Sequence, residues 1–180
     1  MNSKIISALA FTSMISISPF AAAADGNIAI AGNVTAQTCV INGNNSNNKD
    51  FSVTLPTVTT SQLLSTGQTA GRVAFDIKLS SCTPASGNVH TFFEPGPTVD
   101  MATGNLILAT GGAGNVQIGL LNDDLSVIKI GAADTAQNSK AAAISAAGTA
   151  TLPYHAQYVA TGASTAGVAN TSVMYSLVYQ

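Results

Sequence analysis

Two histidines, His90 and His155, are the only side chains in the chain whose ordinary pKa lies near neutral pH, and they stand far apart in sequence. No Gly-x-Ser-x-Gly elbow, His-Glu-x-x-His pair or Lys-terminated phosphate loop accompanies them. Gly111-Gly112-Ala113-Gly114 is glycine-rich, but no Lys follows it and no helix start is evident, so it reads as a loop tip. Asp123-Asp124 has the charge to hold a cation, yet between Leu121 and Leu125 it reads as a solvated turn. Three triplets match the glycosylation acceptor pattern, beginning at Asn33, Asn44 and Asn170, as chance allows in an Asn- and Thr-rich chain. No catalytic, cofactor-binding or metal-ligating set emerges, and the expectation is a protein that is not an enzyme and carries no cofactor.

Composition narrows the class further. Charged residues make up 8% of the 180 residues, against about 25% in an average soluble domain. Six Lys+Arg against eight Asp+Glu give a net charge of −2, which leaves no basic face for nucleic acid. Hydrophobic residues reach 46%, but they are mostly Ala and Val scattered among Thr, Ser, Asn and Gly. No run approaches the roughly 20 apolar residues of a spanning helix.

The first residues follow the order of a secretory signal: a short Lys4-containing start, the apolar stretch Ile5–Phe20, then Ala21-Ala22-Ala23-Ala24. Residues 1–23 are therefore expected to be a signal peptide, cleaved after Ala23 or Ala24, with the remainder exported. In an oxidising compartment the lone pair Cys39 and Cys82 reads as one structural disulfide, since neither a CxxC spacing nor nearby metal ligands suggest other thiol chemistry.

The elements that remain alternate with period 2 and hardly anywhere with period 3.6. Ile28, Ile30 and Val34 alternate, as do Val53 and Leu55, then Val73, Phe75, Ile77 and Leu79. Val116, Ile118 and Leu120 repeat the pattern, followed by Leu152, Tyr154, Ala156 and Tyr158, and finally by Val173, Tyr175, Leu177 and Tyr179. Turn-rich segments separate these runs at 42–50, 65–71, 83–88, 94–104, 111–115 and 162–170. Many short strands between Gly, Asn and Ser predict an all-β sandwich. Ala132–Ala147 is rich in the best helix former but has no apolar stripe beyond Ile144, so a short turn or irregular strand is expected there.

One run has no evident partner. Gly26–Gln37 alternates like a strand, but the next strong strand follows only after an Asn-rich loop. Its apolar side chains and backbone donors and acceptors would lie exposed unless another chain takes them up.

These residues carry a family resemblance. Gly26–Cys39 resembles the N-terminal extension of a chaperone–usher fimbrial pilin, and Arg72–Cys82 resembles the strand that ends at its second cysteine. Residues 153–162 resemble its penultimate strand. The end is similar to the family's C-terminal motif: Tyr179 penultimate, Gly167 fourteenth from the end, and Val173, Tyr175 and Leu177 alternating between them. The pattern is similar to that of type 1 major shaft subunits over the whole chain after the signal, and Val89–Lys140 departs most from it.

The resemblance implies an incomplete immunoglobulin-like sandwich that lacks its last strand and is completed by donor-strand exchange. It implies a donor extension at 24–37, with Ile28, Ile30, Gly32 and Val34 facing inward, and a pilin domain at 38–180. Gly167, Val173, Tyr175, Leu177 and Tyr179 would form the groove edge gripped by a periplasmic chaperone. An outer-membrane usher would then pass subunits head to tail into a cell-surface fimbrium, an adhesive shaft. The alternative within the same system is a minor adaptor or a carbohydrate-binding tip subunit, although a tip adhesin carries a separate lectin domain and no donor strand. A secreted enzyme on a sandwich scaffold is the more distant rival.

Overall fold

The computed structural model describes residue 29 and residues 37–180. The segments expected to be the signal peptide and, apart from residues 29 and 37, the donor extension, including Ile28, Ile30, Gly32 and Val34, lie outside the described residues. In chain order the strands are β1 (Thr38–Gly43), β2 (Thr69–Thr83), β3 (Asn88–Phe93), β4 (Val99–Asp100), β5 (Asn105–Ile107), β6 (Val116–Asn122) and β7 (Val127–Ile128). After the single-turn helix α1 (Asp134–Gln137) come β8 (Ala142–Ala143), β9 (Ala150–Ala160) and β10 (Tyr175–Tyr179).

They form two sheets. One has the order β1-β2-β9-β6-β5-β4, with β7 also pairing to β6, and the other has the order β10-β3-β8. Every pairing is antiparallel. The alternation explains which faces meet. Phe75, Ile77 and Leu79 of β2, Ile118 and Leu120 of β6, and Leu152, Tyr154 and Ala156 of β9 point into one core, where they meet Val89 and Phe93 of β3. Tyr154 is almost fully buried at its centre, with Phe75 at 5.6 Å and Phe93 edge-on at 5.4 Å between ring centroids. Edge-to-face rings of this kind add to their burial energy.

Several elements depart from the sequence pattern for local reasons. Val53 and Leu55 alternate like a strand, yet residues 51–59 join no ladder. β3 escapes the period-2 test because Val89, His90, Thr91 and Phe93 are all buried, on both faces of the strand. His90 is covered on its outer side by Asp134 of α1, at 2.7 Å. Ala132–Ala147 does hold only a single helical turn and the two-residue β8. Gln137, wholly buried, compensates for the shortness of β8. Its amide accepts from Phe93 N–H at 2.7 Å and donates to Phe93 C=O at 2.9 Å, standing in for a neighbouring strand.

Cys39 and Cys82 are joined by a disulfide across the β1–β2 ladder, beside the Thr38–Thr83 pair. The bridge spans a separation of 43 residues, which corresponds to about 4 kcal/mol of denatured-state entropy. Non-reducing mass spectrometry of the subunit is expected to find both thiols blocked. A Cys82→Ala variant is expected to lose about 2–4 kcal/mol of stability in denaturant titration. Free thiols in the folded subunit would overturn the assignment.

Candidate functional site

The described residues bring no catalytic set together. His90 is engaged by Asp134, and His155 lies on the outer face of β9, opposite Ala74 and Leu121. Asp124 forms an ion pair with Lys140 and accepts from Ser126, and these bonds hold its carboxyl well below the usual carboxylate range. Gly111 and Asp123 both lie in exposed turns, and no group of His, Cys, Asp or Glu suited to a metal ion occurs among the described residues.

The distinctive feature is a missing strand. β10 is an edge strand, paired on one side to β3 in the register Tyr175–Phe93, Leu177–Thr91 and Tyr179–Val89. Before it, residues 168–174 continue along the same side, held by Ala113 N–H to Val168 C=O at 2.8 Å, Ala109 N–H to Asn170 C=O at 2.7 Å and Glu94 N–H to Met174 C=O at 2.8 Å. Gly167 starts this stretch because only hydrogen fits there: a Cβ would lie 2.6 Å from the Ala113 nitrogen. On the facing side runs 51–58, whose backbone makes no backbone hydrogen bond among the described residues.

Between these two lips lies a cleft of about 980 Å³, continuous through Val53, Leu55, Ala169 and Asn170 with a second of about 790 Å³. The floor of the first is the sandwich core itself, including Phe75, Ile77, Phe93, Ile118 and Leu120, and Leu63, Val116 and Tyr158 line the second. Phe51, Val53 and Leu55 from one lip, and Val173, Tyr175, Leu177 and Tyr179 from the other, pack on that core yet remain only partly buried. Two rows of half-buried alternating side chains, with unpaired backbone facing unpaired backbone, define a slot for one more strand.

The structure thus brings Gly167, Val173, Tyr175, Leu177 and Tyr179 onto one lip, with the β10 ladder beginning only at Tyr175. Sequence reasoning missed the opposite lip. Phe51 shares the parity of Val53 and Leu55, and that was the available signal. Burial raises the pKa values of Tyr175 and Tyr179, helped at Tyr175 by the Asp50 charge, so both hydroxyls keep their protons.

Residues 55–180 match the family model described as Type-1 fimbrial protein, A. The chain belongs to the type-1 fimbrial protein family. It is 44% identical over 172 residues to the major fimbrial subunit SMF-1 of Stenotrophomonas maltophilia, covering 92% of this chain and 99% of that protein. The F17 fimbrial protein of Escherichia coli is 44% identical over 162 residues, with 87% and 88% covered. Among solved structures, a type I fimbria protein and antigen of Burkholderia pseudomallei is 28% identical with a TM-score of 0.56, covering 79% of this chain and 98% of that one. A chaperone–usher pilus subunit shares the fold alone, at 19% identity and a TM-score of 0.58, with 87% and 96% covered. This fimbrial protein is a structural subunit of a surface fimbrium, and its fold is the incomplete immunoglobulin-like sandwich of pilins.

Proposed function

We propose that the groove is filled in the fibre by residues 24–37 of a neighbouring copy, and that this donor-strand exchange builds the shaft. The observation that carries the reading is the pair of edges, 51–58 and 168–179, which share no ladder with each other and line one cleft with half-buried apolar side chains. The domain's polarity supports a head-to-tail order. The chain enters β1 at the end of the sandwich where Gln37 donates to Pro84 C=O and Thr38 pairs with Thr83. The groove runs from Tyr179 at that end to Gly167 at the other. A strand leaving one end and filling a groove that reaches the other makes a heterologous contact, which propagates instead of closing.

Before assembly the same groove would present half-buried apolar lips and open edges, a state prone to aggregation. A periplasmic chaperone lending a strand meets that need, and an outer-membrane usher then exchanges it for the next subunit's extension. Residues 1–23 serve as the signal peptide that delivers the chain to the periplasm.

The experiment is a mixing assay with a subunit that lacks residues 24–37. Such a subunit accepts a donor but cannot act as one. Added to wild-type subunit, it is expected to shorten fibres in proportion to its mole fraction, and alone it is expected to form none. Fibres of normal length from the truncated subunit alone would contradict the proposal.

A further inference from the structure

The two lips of the groove are tied to each other at a single place along 49–58 and 167–179. Tyr175 donates its hydroxyl to Lys49 C=O at 2.7 Å, linking residues 126 positions apart. The ring of Tyr175 also meets Phe51 edge-on, with centroids 6.1 Å apart and planes at 64°. Phe51 is itself pinned from below. It packs on Phe75 at 6.1 Å, and its ring lies over Gly43 so closely that a Cβ there would sit 1.9 Å away. Phe51 and Tyr175 both line the cleft.

We infer that Tyr175, seated against Phe51 and hydrogen-bonded to Lys49 C=O, is a spacer that holds the two lips apart at the width of one extended strand. The inference rests on the groove being the acceptor site. Adjacent strands lie about 4.8 Å apart, so lips that admit one strand must stand about two such steps from each other. The Tyr175 hydroxyl reaches the Lys49 carbonyl of the other lip, whereas a Phe has no donor to make that bond. Without the tie, the lip at 49–55 has no backbone bond to fix its distance from β10. A donor strand would then have to re-space the lips before its ladder could form, and that cost falls on association. Tyr175 is thus a positioning residue for strand insertion.

The test follows binding of a fluorescent peptide of residues 24–37 to the full-length subunit held as a monomer. In Tyr175→Phe the association rate is expected to fall about fivefold, the size of one net hydrogen bond, with dissociation little changed. Gly43→Ala displaces Phe51 and attacks the same contact from the other lip. It is expected to slow association similarly, and the double variant is expected to lose less than the product of the two effects. A purely structural role would lower the thermal midpoint and leave the association rate alone. Association in Tyr175→Phe that is unchanged or faster, with the peptide still binding, would overturn the spacer. A peptide that binds neither wild type nor variant would overturn the acceptor-groove reading beneath it.

Discussion

A Gly32→Leu subunit is expected to fold, form its Cys39–Cys82 disulfide and fail to make fibres. Gly32 shares the phase of the alternating Ile28, Ile30 and Val34, where a large residue would otherwise be expected. A glycine at such a site weakens a strand unless neighbouring backbone leaves no room for a side chain. If residues 24–37 act in a neighbour's groove, the bulk of Leu meets the lips or floor of that neighbour and not the variant's own core. Monomer stability should then stay within about 0.5 kcal/mol of wild type, as for substitutions away from packed sites. Polymer yield, read as laddered bands from purified subunits, should fall below detection. An ordinary core strand would behave in the opposite way: overpacking would cost about 1–3 kcal/mol of monomer stability. Normal fibres from the variant, or a destabilised monomer, would count against the donor role.

The second large effect comes from filling the groove within one chain. A copy of residues 24–37 fused after Gln180 through a flexible linker is expected to convert the subunit into a monomer that neither aggregates nor accepts a neighbour. Burying Ile28, Ile30 and Val34 contributes roughly 5–9 kcal/mol before the cost of ordering the strand, and two edges of hydrogen bonds are completed as well. The thermal midpoint should rise by at least about 10 °C, since each kcal/mol shifts a domain of this size by roughly 3–5 °C. The same fusion with Ile28 and Ile30 changed to Asp should lose the gain, because a carboxylate buried on the apolar floor is strongly disfavoured. A fused subunit that melts where wild type does would mean that the groove does not accept this segment.

Legibility of the fold divided along a physical line. Strands with one face on the core and one in water, such as 73–79 and 152–158, showed their alternation and were readable. β3 was not, because His90 and Gln137 give a polar segment the burial of a central strand through side-chain partners, Asp134 and the Phe93 backbone, that lie far off in sequence. β1 was hidden by its Asn-rich continuation, although its Ile41 and Cys39 pack on the core. The groove was half legible. Val173, Tyr175, Leu177 and Tyr179 stood out as a C-terminal alternation. The facing lip is an irregular segment that joins no ladder, and its short Phe51, Val53, Leu55 pattern before Pro56 carried too little periodicity to mark an edge. Glycines whose role is steric cannot be sorted by sequence alone. Gly43 under the Phe51 ring looks like any turn glycine, and Gly167 is marked only by its motif position, until the atoms they contact are known.

The central claim is that the two open edges are paired by another copy in the fibre. Backbone hydrogen exchange, read at residue level in assembled fibres and in dissociated monomer, tests it most directly. The amides of 51–58, apart from Pro56, and the outward amides of 173–179 are expected to exchange readily in the monomer. In the fibre they should slow by at least about a hundredfold, as ladder bonds require opening before exchange. Amides of β2 and β9, already in the interior of a sheet, should change little. Equal exchange at 51–58 and 173–179 in fibre and monomer would contradict the account.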